Sequence, residues 1–350
     1  MRIRRTFPVI VAVLLVAAAV TLAVQLRKHA PPEAARLLPS ADAFVYFDLS
    51  GVRRANAEKE LPPVSHDPEY ERFIRETGFQ FERDLDEAAF AIHYPAKWPG
   101  GGTGGSAPEP RFSEVLVGKF QSERLTSYLK QIAQSMENYQ SVDVYTIRLE
   151  GRTLRVAVLS ADLVAVSNHD NPTVIRGMID RSRRLASPFG GPAFLRQYYR
   201  HVQLASLAWA VARVEPSTSG AWGALFPAPA TVVASGTYLS PLHLNLKAAA
   251  VHLRAEAFTD NPDAARALVD KANVFLALSH SAENALGTHG ADSDVKAFFD
   301  SLEVKQEGDR AILNASVPYG FLHKMLAESS DEMSQPASTP APSATPANSR

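Results

Sequence analysis

Hydrophobic residues are spread unevenly along this chain, and the longest unbroken apolar run comes first. Phe7 to Leu26 reads FPVIVAVLLVAAAVTLAVQL, twenty residues without a charged side chain. A helix of that length rises about 30 Å, which matches the hydrocarbon thickness of a bilayer. The pattern therefore predicts a transmembrane anchor over residues 7–26, with residues 1–6 as a short cytoplasmic stub.

The charges that flank this run predict its orientation. Arg2, Arg4 and Arg5 precede it without an acidic residue, so the positive-inside rule holds the N-terminus in the cytoplasm. A cleaved signal peptide is the alternative, because small residues at 17–19 offer a cleavage site. Apolar character that continues to Leu26, followed at once by a basic pair, favours an uncleaved anchor. In either case we expect the body of the protein to be extracytoplasmic.

Beyond the anchor, the pattern changes to short segments of two kinds. Residues 27–40 contain Pro31 and Pro32 and are predicted to form an extended juxtamembrane linker. After that, β-branched or alternating runs predict strands, and apolar residues three and four positions apart predict helices. The predicted strands are 43–49, 88–94, 112–120, 143–149, 154–159, 163–167, 207–214, 231–239, 243–258 and a hairpin over 302–318. The predicted helices are 67–77, 122–139, 172–180, 192–202, 219–226, 262–281, 292–299 and 320–328.

Tight turns between several of these strands predict antiparallel pairing, and therefore an α+β fold. The strands over 143–149, 154–159 and 163–167 follow one another with almost no connection, which is typical of a meander. The helix over 122–139 carries an apolar stripe from Leu125 to Tyr139, and we expect this stripe to cover the sheet.

Two segments ninety residues apart resemble each other and predict an internal duplication. Residues 162–180 and 252–270 share seven identities over nineteen positions without a gap. In each copy an asparagine, Asn171 or Asn261, can cap a helix that begins at the following proline. The sequence thus predicts a duplicated antiparallel-sheet-plus-helices ectodomain.

This duplication sets the predicted domain boundaries. The first α+β repeat covers residues 41–190, and the second covers residues 191–330. The tail over 331–350 is rich in proline, alanine and serine, and we expect it to be disordered because it has no apolar pattern that could offset its ordering entropy.

Charge and cysteine content narrow the function classes. The whole chain carries 36 basic and 37 acidic residues. Five of the basic residues and none of the acidic ones lie in the first 28 positions, so the remainder has six more acidic than basic residues. A mildly acidic body without a basic stripe is not expected to bind nucleic acid. The absence of cysteine excludes disulfides, thiolate nucleophiles and a lipoprotein anchor.

One stretch gathers residue types that could bind a metal. His280 and Glu283 would share a face of a helix, and His289 and Asp292 follow in the next loop. A full HExxH motif is absent, and glycines at 287 and 290 are typical of an ordinary polar loop between helices. The inter-helix loop is the favoured interpretation, and no metal or other cofactor is expected.

Four arginines concentrate positive charge around one predicted helix end. They are Arg176, Arg181, Arg183 and Arg184. Cations at that position complement the C-terminus of a helix, which is the simpler interpretation. The alternative is a patch that binds an anionic polymer.

The start of the body supports one resemblance. Leu38-Pro39-Ser40-Ala41-Asp42 leads into an aromatic strand behind a single N-terminal anchor. Together with the duplicated α+β repeats, this arrangement resembles uncharacterised bacterial membrane-anchored envelope proteins. The resemblance implies an extracytoplasmic bacterial protein, and it carries no active-site residues.

These observations predict a non-catalytic binding or scaffolding protein of the bacterial envelope. We expect a single span in the inner membrane through Phe7–Leu26, a periplasmic C-terminal domain, and an envelope protein as partner. An enzyme is not expected, because no catalytic constellation is found in the sequence. Two alternatives stay open. One is an envelope hydrolase or metal-dependent enzyme whose site assembles only in three dimensions, and the other is a carrier of an apolar ligand or lipid in a cavity of ligand size.

Overall fold

The described part of the chain begins just beyond the predicted anchor. The computed structural model describes residues 30–55, 66–94, 110–149, 151–183, 190–216, 226–239, 250–286 and 293–322, and for residue 55 and residues 279–286 it describes the backbone only. Within these ranges no helix is both long and apolar enough to cross a membrane. The predicted anchor over 7–26 and the tail over 331–350 lie outside the described residues, as do residues 219–225 of the predicted helix over 219–226 and residues 323–328 of the predicted helix over 320–328.

A single mixed α+β body is built on one large antiparallel sheet. Its strands are β1 (Ala43–Asp48), β2 (Leu85–His93), β3 (Arg111–Gly118), β4 (Ser135–Tyr139), β5 (Val142–Leu149), β6 (Arg152–Val158), β7 (Leu163–Ser167), β8 (Ser206–Val214), β9 (Ala230–Leu239), β10 (Ala250–Phe258), β11 (Glu303–Glu307) and β12 (Arg310–Pro318). The order across the sheet is β11-β12-β10-β9-β8-β1-β2-β3-β7-β6-β5-β4. Neighbouring strands run antiparallel throughout, and the predicted meander is present as β5-β6-β7.

Short helices connect the strands. They are α1 (Glu33–Leu37), α2 (Leu49–Ala55), α3 (Pro68–Thr77), α4 (Phe81–Asp84), α5 (Ser122–Ile132), α6 (Thr173–Ser182), α7 (Ala193–Tyr199), α8 (Pro262–Leu286) and α9 (Ser293–Asp300). Sequence reasoning predicted α3, α5 to α9 and their order, and it missed α1, α2 and α4.

The two faces of the sheet are covered differently. One face, which we term the helical face, carries Phe44 and Trp209, and α1, α6 and α7 bury it in the main core. The opposite face, which we term the groove face, carries Val45 and the alternating positions in register with it. On the groove face α3 and α5 cover the first strands, and Leu268 of α8 packs near the other edge. Between these helices, no described residue covers part of the groove face.

The segment predicted as a spacer is partly a buried helix. Ala34, Ala35, Leu37 and Leu38 have no exposed surface and belong to the main core. The side chain of Arg181 on α6 donates through Nε to the carbonyl oxygen of Leu37 at 2.7 Å. Residues 33–38 are therefore fixed to the body, because burying these apolar side chains outweighs the extended preference of the prolines before them.

The prediction of one helix over 122–139 is wrong at its C-terminal end, where the chain forms a strand. Helix α5 ends at Ile132, and residues 135–139 form β4 at the edge of the sheet, paired with β5. Met136 and Tyr139 continue the helical spacing only by coincidence. The hydroxyl of Tyr139 donates instead to the Asp180 carboxylate at 3.2 Å, and the pairing with β5 replaces the helical hydrogen bonds.

The sheet runs without a break across both predicted repeats. Strands β1 to β7 belong to the first range and β8 to β12 to the second, and β1 pairs directly with β8. The two similar sequence segments each contain a strand and the start of a helix, β7 with α6 and β10 with α8. However, β7 lies between β3 and β6, whereas β10 lies between β9 and β12. Internal duplication therefore stays a prediction.

Candidate functional site

An open apolar groove of about 500 Å³ lies on the groove face. Its floor is formed by β1, β8, β9, β10 and β12, and its margins include α2 and the residues that follow β12. We term this feature the apolar groove. The side chains that border it on the groove face and its margins are Val45, Phe47, Val52, Leu207, Ala208, Ala210, Ala234, Gly236, Tyr238, Val251, Leu253, Ala255, Leu313, Tyr319 and Leu322.

The register of the strands explains why this part of the sheet is hollow. One row across the sheet reads Val45, Ala210, Ala234, Ala255, Leu313, and the next reads Phe47, Ala208, Gly236, Leu253. Residues directly opposite each other on one face of a sheet have adjacent side chains. In the first row three alanines lie between Val45 and Leu313. In the second row, which continues to Ala315, Ala208 and Gly236 lie between Phe47 and Leu253. The floor is therefore lower than its margins.

Gly236 contributes to this depth at the centre of the floor. A Cβ at this position would lie 3.2 Å from Cδ2 of Leu253 and 3.5 Å from Cγ1 of Val251. A side chain there would push Leu253 aside and fill the space above β9. The glycine is needed for close packing, and its backbone angles are not in the left-handed region.

Helix α2 forms one margin, and local sequence fixes its position. Asp48 accepts hydrogen bonds from the Oγ of Ser50 and the backbone N–H of Gly51, both at 2.7 Å. A Cβ on Gly51 would lie 2.7 Å from Cδ2 of Leu207. The glycine thus lets α2 approach β8 closely, and Val52 on the same helix borders the groove.

Aromatic side chains gather at one end of the groove. The rings of Tyr238 and Tyr319 meet edge to face with centroids 6.5 Å apart. Phe47 packs edge to face on Phe90, with centroids 6.2 Å apart, and still keeps 39% of its surface exposed. This end therefore combines exposed apolar surface with phenol groups.

The helical face beneath the groove is closed by aromatic packing. The ring of Trp209 stacks on Tyr46 at 5.4 Å and meets Tyr199 edge to face at 5.3 Å. Burial raises the pKa of Tyr199 to about 12, and it raises the pKa of Tyr46 further above the ordinary value for a phenol. Both phenols therefore stay neutral, which suits a rigid base for the floor.

A buried carboxylate lies on the helical face of β10 and is fully used within the fold. Glu256 is 4% exposed. Its Oε1 accepts from Nε of Arg254 at 2.9 Å, and its Oε2 accepts from Nη1 of Arg310 at 3.1 Å. Nδ1 of His201 lies 3.6 Å from Oε2, and burial lowers the pKa of this histidine. This network stabilises the pairing of β10 with β12.

Two serines and two histidines meet on the helical face near the start of β3. Oγ of Ser113 lies 3.0 Å from Oγ of Ser167 and 3.3 Å from Nε2 of His93. The ring of His169 contacts that of His93 at 5.1 Å. Ser113 has no exposed surface. A hydroxyl in this position is part of the packing, and it is not presented to a substrate.

The predicted arginine patch is distributed over internal contacts. Arg176 pairs with Glu137 and lies over the ring of Tyr139 at 5.5 Å. Arg181 donates to Leu37 as described above, and Arg183 donates to the carbonyl oxygen of Gln140. These three arginines join α6 to α1 and to the β4–β5 hairpin. Arg184 lies outside the described residues, and anion binding stays a prediction.

The candidate metal ligands fall mostly where the structure gives no side chains. His280 and Glu283 lie on α8, whose backbone alone is described there, and His289 and Asp292 lie outside the described residues. Within the residues that are described, no group of three or more His, Asp or Glu side chains could hold a metal ion.

Sequence reasoning missed the groove residues, although a signal for them exists. In β8 the small residues Ala208, Ala210 and Ala212 alternate with Trp209 and Val211. Alternation of small and large side chains along one strand predicts two faces with different depth. Strands β9 and β10 carry Ala234, Gly236 and Ala255 on the same face but do not repeat this alternation, so only their register with β8 places the hollow.

Comparisons with known proteins give a likeness in chain path only. The sequence matches no protein-family model and no curated protein. The solved structure of crystal form I of TP0453 has a TM-score of 0.42 and 9% identity, covering 86% of this chain and 97% of that chain. Crystal form IV of TP0453 has a TM-score of 0.41 and 10% identity, covering 85% of this chain and 96% of that chain. A likeness at this level says nothing about activity, ligand or partner.

Proposed function

We propose that this protein is a membrane-tethered binding protein of the bacterial envelope that holds the acyl chain of a lipid in the apolar groove. The single observation that carries the proposal is the open groove of about 500 Å³ whose floor is formed by alanine and glycine. Binding sites for small molecules are concave, largely apolar and of this order of size.

The energetics favour a flexible hydrocarbon as the occupant. Each methylene group removed from water contributes about 0.8 kcal/mol, so that about eight methylenes in the groove contribute about 6 kcal/mol. The ordering of the chain on binding reduces this gain. We therefore expect reversible binding, which suits a carrier or a sensor of lipid.

The shape of the groove supports an acyl chain over a packed protein helix. A helix needs a contact distance of 8–10 Å between axes and large interdigitating side chains. Here Ala210, Ala234 and Ala255 adjoin in one row, so the middle of the floor offers no large side chain for interdigitation. An extended hydrocarbon chain fits such a trough without side-chain pockets.

The proposed location and architecture rest on sequence features. The apolar run Phe7–Leu26 with its basic flank supports an inner-membrane anchor and a periplasmic body. The two related segments support an ancient duplication of the α+β unit. Tethering to a bilayer would keep the groove beside a constant supply of acyl chains.

Photocrosslinking in living cells tests the proposed ligand. Cells that express the full-length chain are fed a fatty acid carrying a diazirine and an alkyne, irradiated, and analysed by mass spectrometry of the crosslinked peptides. We expect crosslinks on peptides from β8, β9 and β10 in addition to any on residues 7–26. Crosslinks confined to residues 7–26 would contradict a lipid site in the groove.

A groove-filling variant with a matched control sharpens this test. Ala234→Leu places a branched side chain in the middle of the floor and is expected to reduce groove crosslinking at least tenfold. Ala267→Leu makes the same change at an exposed position of α8 and is expected to leave crosslinking unchanged. Ala210→Leu is a second filling variant, in case Ala234→Leu reduces the yield of folded protein.

A further inference from the structure

The tether enters the body at one defined end of the sheet. Pro32, at the start of α1, borders a small cavity of about 170 Å³ together with Asp48, Leu204 and Ser206. Asp48 is the last residue of β1 and Ser206 is the first residue of β8. Because these strands are antiparallel neighbours, both residues lie at the same end of the sheet, which we term the proximal end.

Little chain separates the predicted anchor from this end. Pro31 is buried, and α1 is held in the core, so the body is fixed from that point on. Only three residues lie between Leu26 and Ala30. Since one residue spans at most about 3.6 Å, Ala30 lies within about 15 Å of Leu26, the last residue of the predicted anchor.

The aromatic end of the groove lies at the same proximal end. Tyr238 pairs with Val251, which in turn pairs with Val317, so the last residues of β9 and β12 and the first residues of β10 meet there. Tyr319 follows directly after β12. The aromatic end of the groove therefore lies on the side of the molecule from which the tether emerges.

The side chains at this end have the character of a membrane-facing surface. Phe47 and Leu204 are 39% and 59% exposed, although both are large and apolar. Tyr238 and Tyr319 add phenol rings beside them. Tyrosine is enriched where protein meets the headgroup region, because its ring is apolar and its hydroxyl is polar. Exposed apolar residues and tyrosines at the tethered end fit direct contact with lipid.

We propose that the proximal end of the sheet rests against the membrane surface and that the apolar groove takes up the acyl chain of a phospholipid directly from that surface. This inference rests on the proposed function and adds to it the source of the ligand and the orientation of the body. Uptake would depend on the short connection between anchor and α1, because that connection holds the aromatic end of the groove near the bilayer.

Quenching of tryptophan fluorescence by brominated lipid tests this orientation. Trp98→Phe and Trp222→Phe leave Trp209, which lies directly beneath the groove floor. The full-length variant is reconstituted into vesicles of phosphatidylcholine brominated in mid-chain. We expect strong quenching of Trp209, and at least a threefold loss of that quenching when Ala234→Leu is added.

A rigid spacer separates orientation from binding. Four EAAAK repeats, which are largely helical and extend about 30 Å, are inserted between Lys28 and His29. The matched control carries the same repeats after Arg350. We expect the inserted spacer to reduce quenching by the vesicle lipid at least threefold and the C-terminal spacer to leave it unchanged. Equal quenching with either spacer would overturn the proposed orientation.

A second quencher distinguishes the failure of this inference from the failure of the proposed function. Dibromostearic acid is added from solution to the chains with and without the inserted spacer. Quenching in both means that the groove binds an acyl chain wherever the body sits, so the function holds even if the orientation fails. Absence of quenching in both would overturn the proposed function, and the orientation with it.

Discussion

At the scale of single residues, the groove depends on side chains that are small where a sheet usually carries large ones. Ala210 and Ala234 lie opposite each other, as do Ala208 and Gly236. None of these residues indicates a groove by itself. Only the register across β8, β9 and β10 brings them together, and register cannot be read from one strand at a time.

Helix caps depend on residues that are close together in the chain. Asp67 accepts hydrogen bonds through Oδ1 from the backbone N–H groups of Glu69 and Tyr70, both at 2.8 Å. Asn171 and Asn261 accept similarly from Thr173 and Ala264, both at 2.9 Å. Because caps are local, the residue type and the neighbouring proline predicted where these helices start. Helix α6 differs by one residue, because it begins at Thr173 with Pro172 as its N-cap.

The cap of α3 gives a stability prediction. Asp67→Ala removes the acceptor for two N–H groups and is expected to lower the free energy of unfolding by about 1 kcal/mol. Asp67→Ser keeps an acceptor at the same position and is expected to restore most of that loss. Chemical denaturation of the two variants measures the difference, and equal values for alanine and serine would contradict the role of the cap.

A histidine held between two carboxylates was missed in the sequence. Nδ1 of His66 lies 2.7 Å from Glu71 and Nε2 lies 2.5 Å from Glu82. These hydrogen bonds raise the pKa of His66. At Glu82 burial acts to raise the pKa, but hydrogen bonds from Tyr70 and His66 outweigh burial and lower the pKa. The partners are 5 and 16 residues away, so no short motif announces the cluster.

This cluster predicts a pH dependence of stability. Because the folded pKa of His66 is raised, its contribution is complete below the unfolded pKa of about 6.5 and is lost as the pH rises through the folded pKa. Because the folded pKa of Glu82 is lowered, its contribution is complete above the unfolded pKa of a glutamate and is lost as the pH falls through the folded pKa. The melting temperature of His66→Gln should therefore lie further below that of the unchanged chain at pH 6 than at pH 9. The same difference at both pH values would show that the charge of His66 does not stabilise the fold.

At the scale of secondary structure elements, prediction succeeded where periodicity and local signals agreed. One example is the strand over 163–167, which the structure has with the same bounds. Another is the helix over 67–77, which ends where Gly78 adopts the left-handed conformation with φ of 71°. Prediction failed where tertiary packing decides. Helix α1 forms because its alanines fill the core, and β4 forms because β5 provides a pairing edge. Neither cause is visible in the segment itself.

Replacement by alanine should have opposite effects on stability at two glycines, Gly118 and Gly177. At the end of β3, a Cβ on Gly118 would lie 2.5 Å from the carbonyl oxygen of Asp84, so Gly118→Ala must displace backbone and should cost about 1–3 kcal/mol. In α6, a Cβ on Gly177 would come no closer than 3.5 Å to Arg181. Gly177→Ala should stabilise the fold by up to about 1 kcal/mol through helix propensity. Denaturant unfolding measures both, and a loss of stability in Gly177→Ala would contradict the packing described here.

At the scale of the whole molecule, one twelve-stranded sheet carries the main core on its helical face, while the described residues leave part of the groove face uncovered. Helices α3 and α5 cover the groove face over the first half of the chain, and the corresponding area over β8, β9 and β10 forms the groove. Sequence reasoning predicted the α+β class and antiparallel pairing, because these follow from local patterns. It could not predict the open area, because coverage of a face depends on where every helix packs.

Candidate binding residues, like the elements, could be judged from the sequence only where their partners are close in the chain. The arginines that the sequence groups around one helix end contact distant parts of the chain. The contacts are Arg176 with Glu137, Arg181 with Leu37, and Arg183 with Gln140. The side chains named above as bordering the groove, which carries the proposed function, are apolar apart from the phenols of Tyr238 and Tyr319, and none of them forms a motif in the sequence. A site made of missing side chains becomes visible only in three dimensions.

Native mass spectrometry of the full-length chain, released from detergent micelles after purification from membranes, tests the central claim most directly. It counts the lipid molecules that remain bound to each protein. The account predicts one acyl-chain lipid on a substantial fraction of the unchanged chain and of Ala267→Leu, and at least a tenfold smaller fraction on Ala234→Leu. Equal lipid occupancy in all three, or none in any, would contradict the groove as a lipid-binding site.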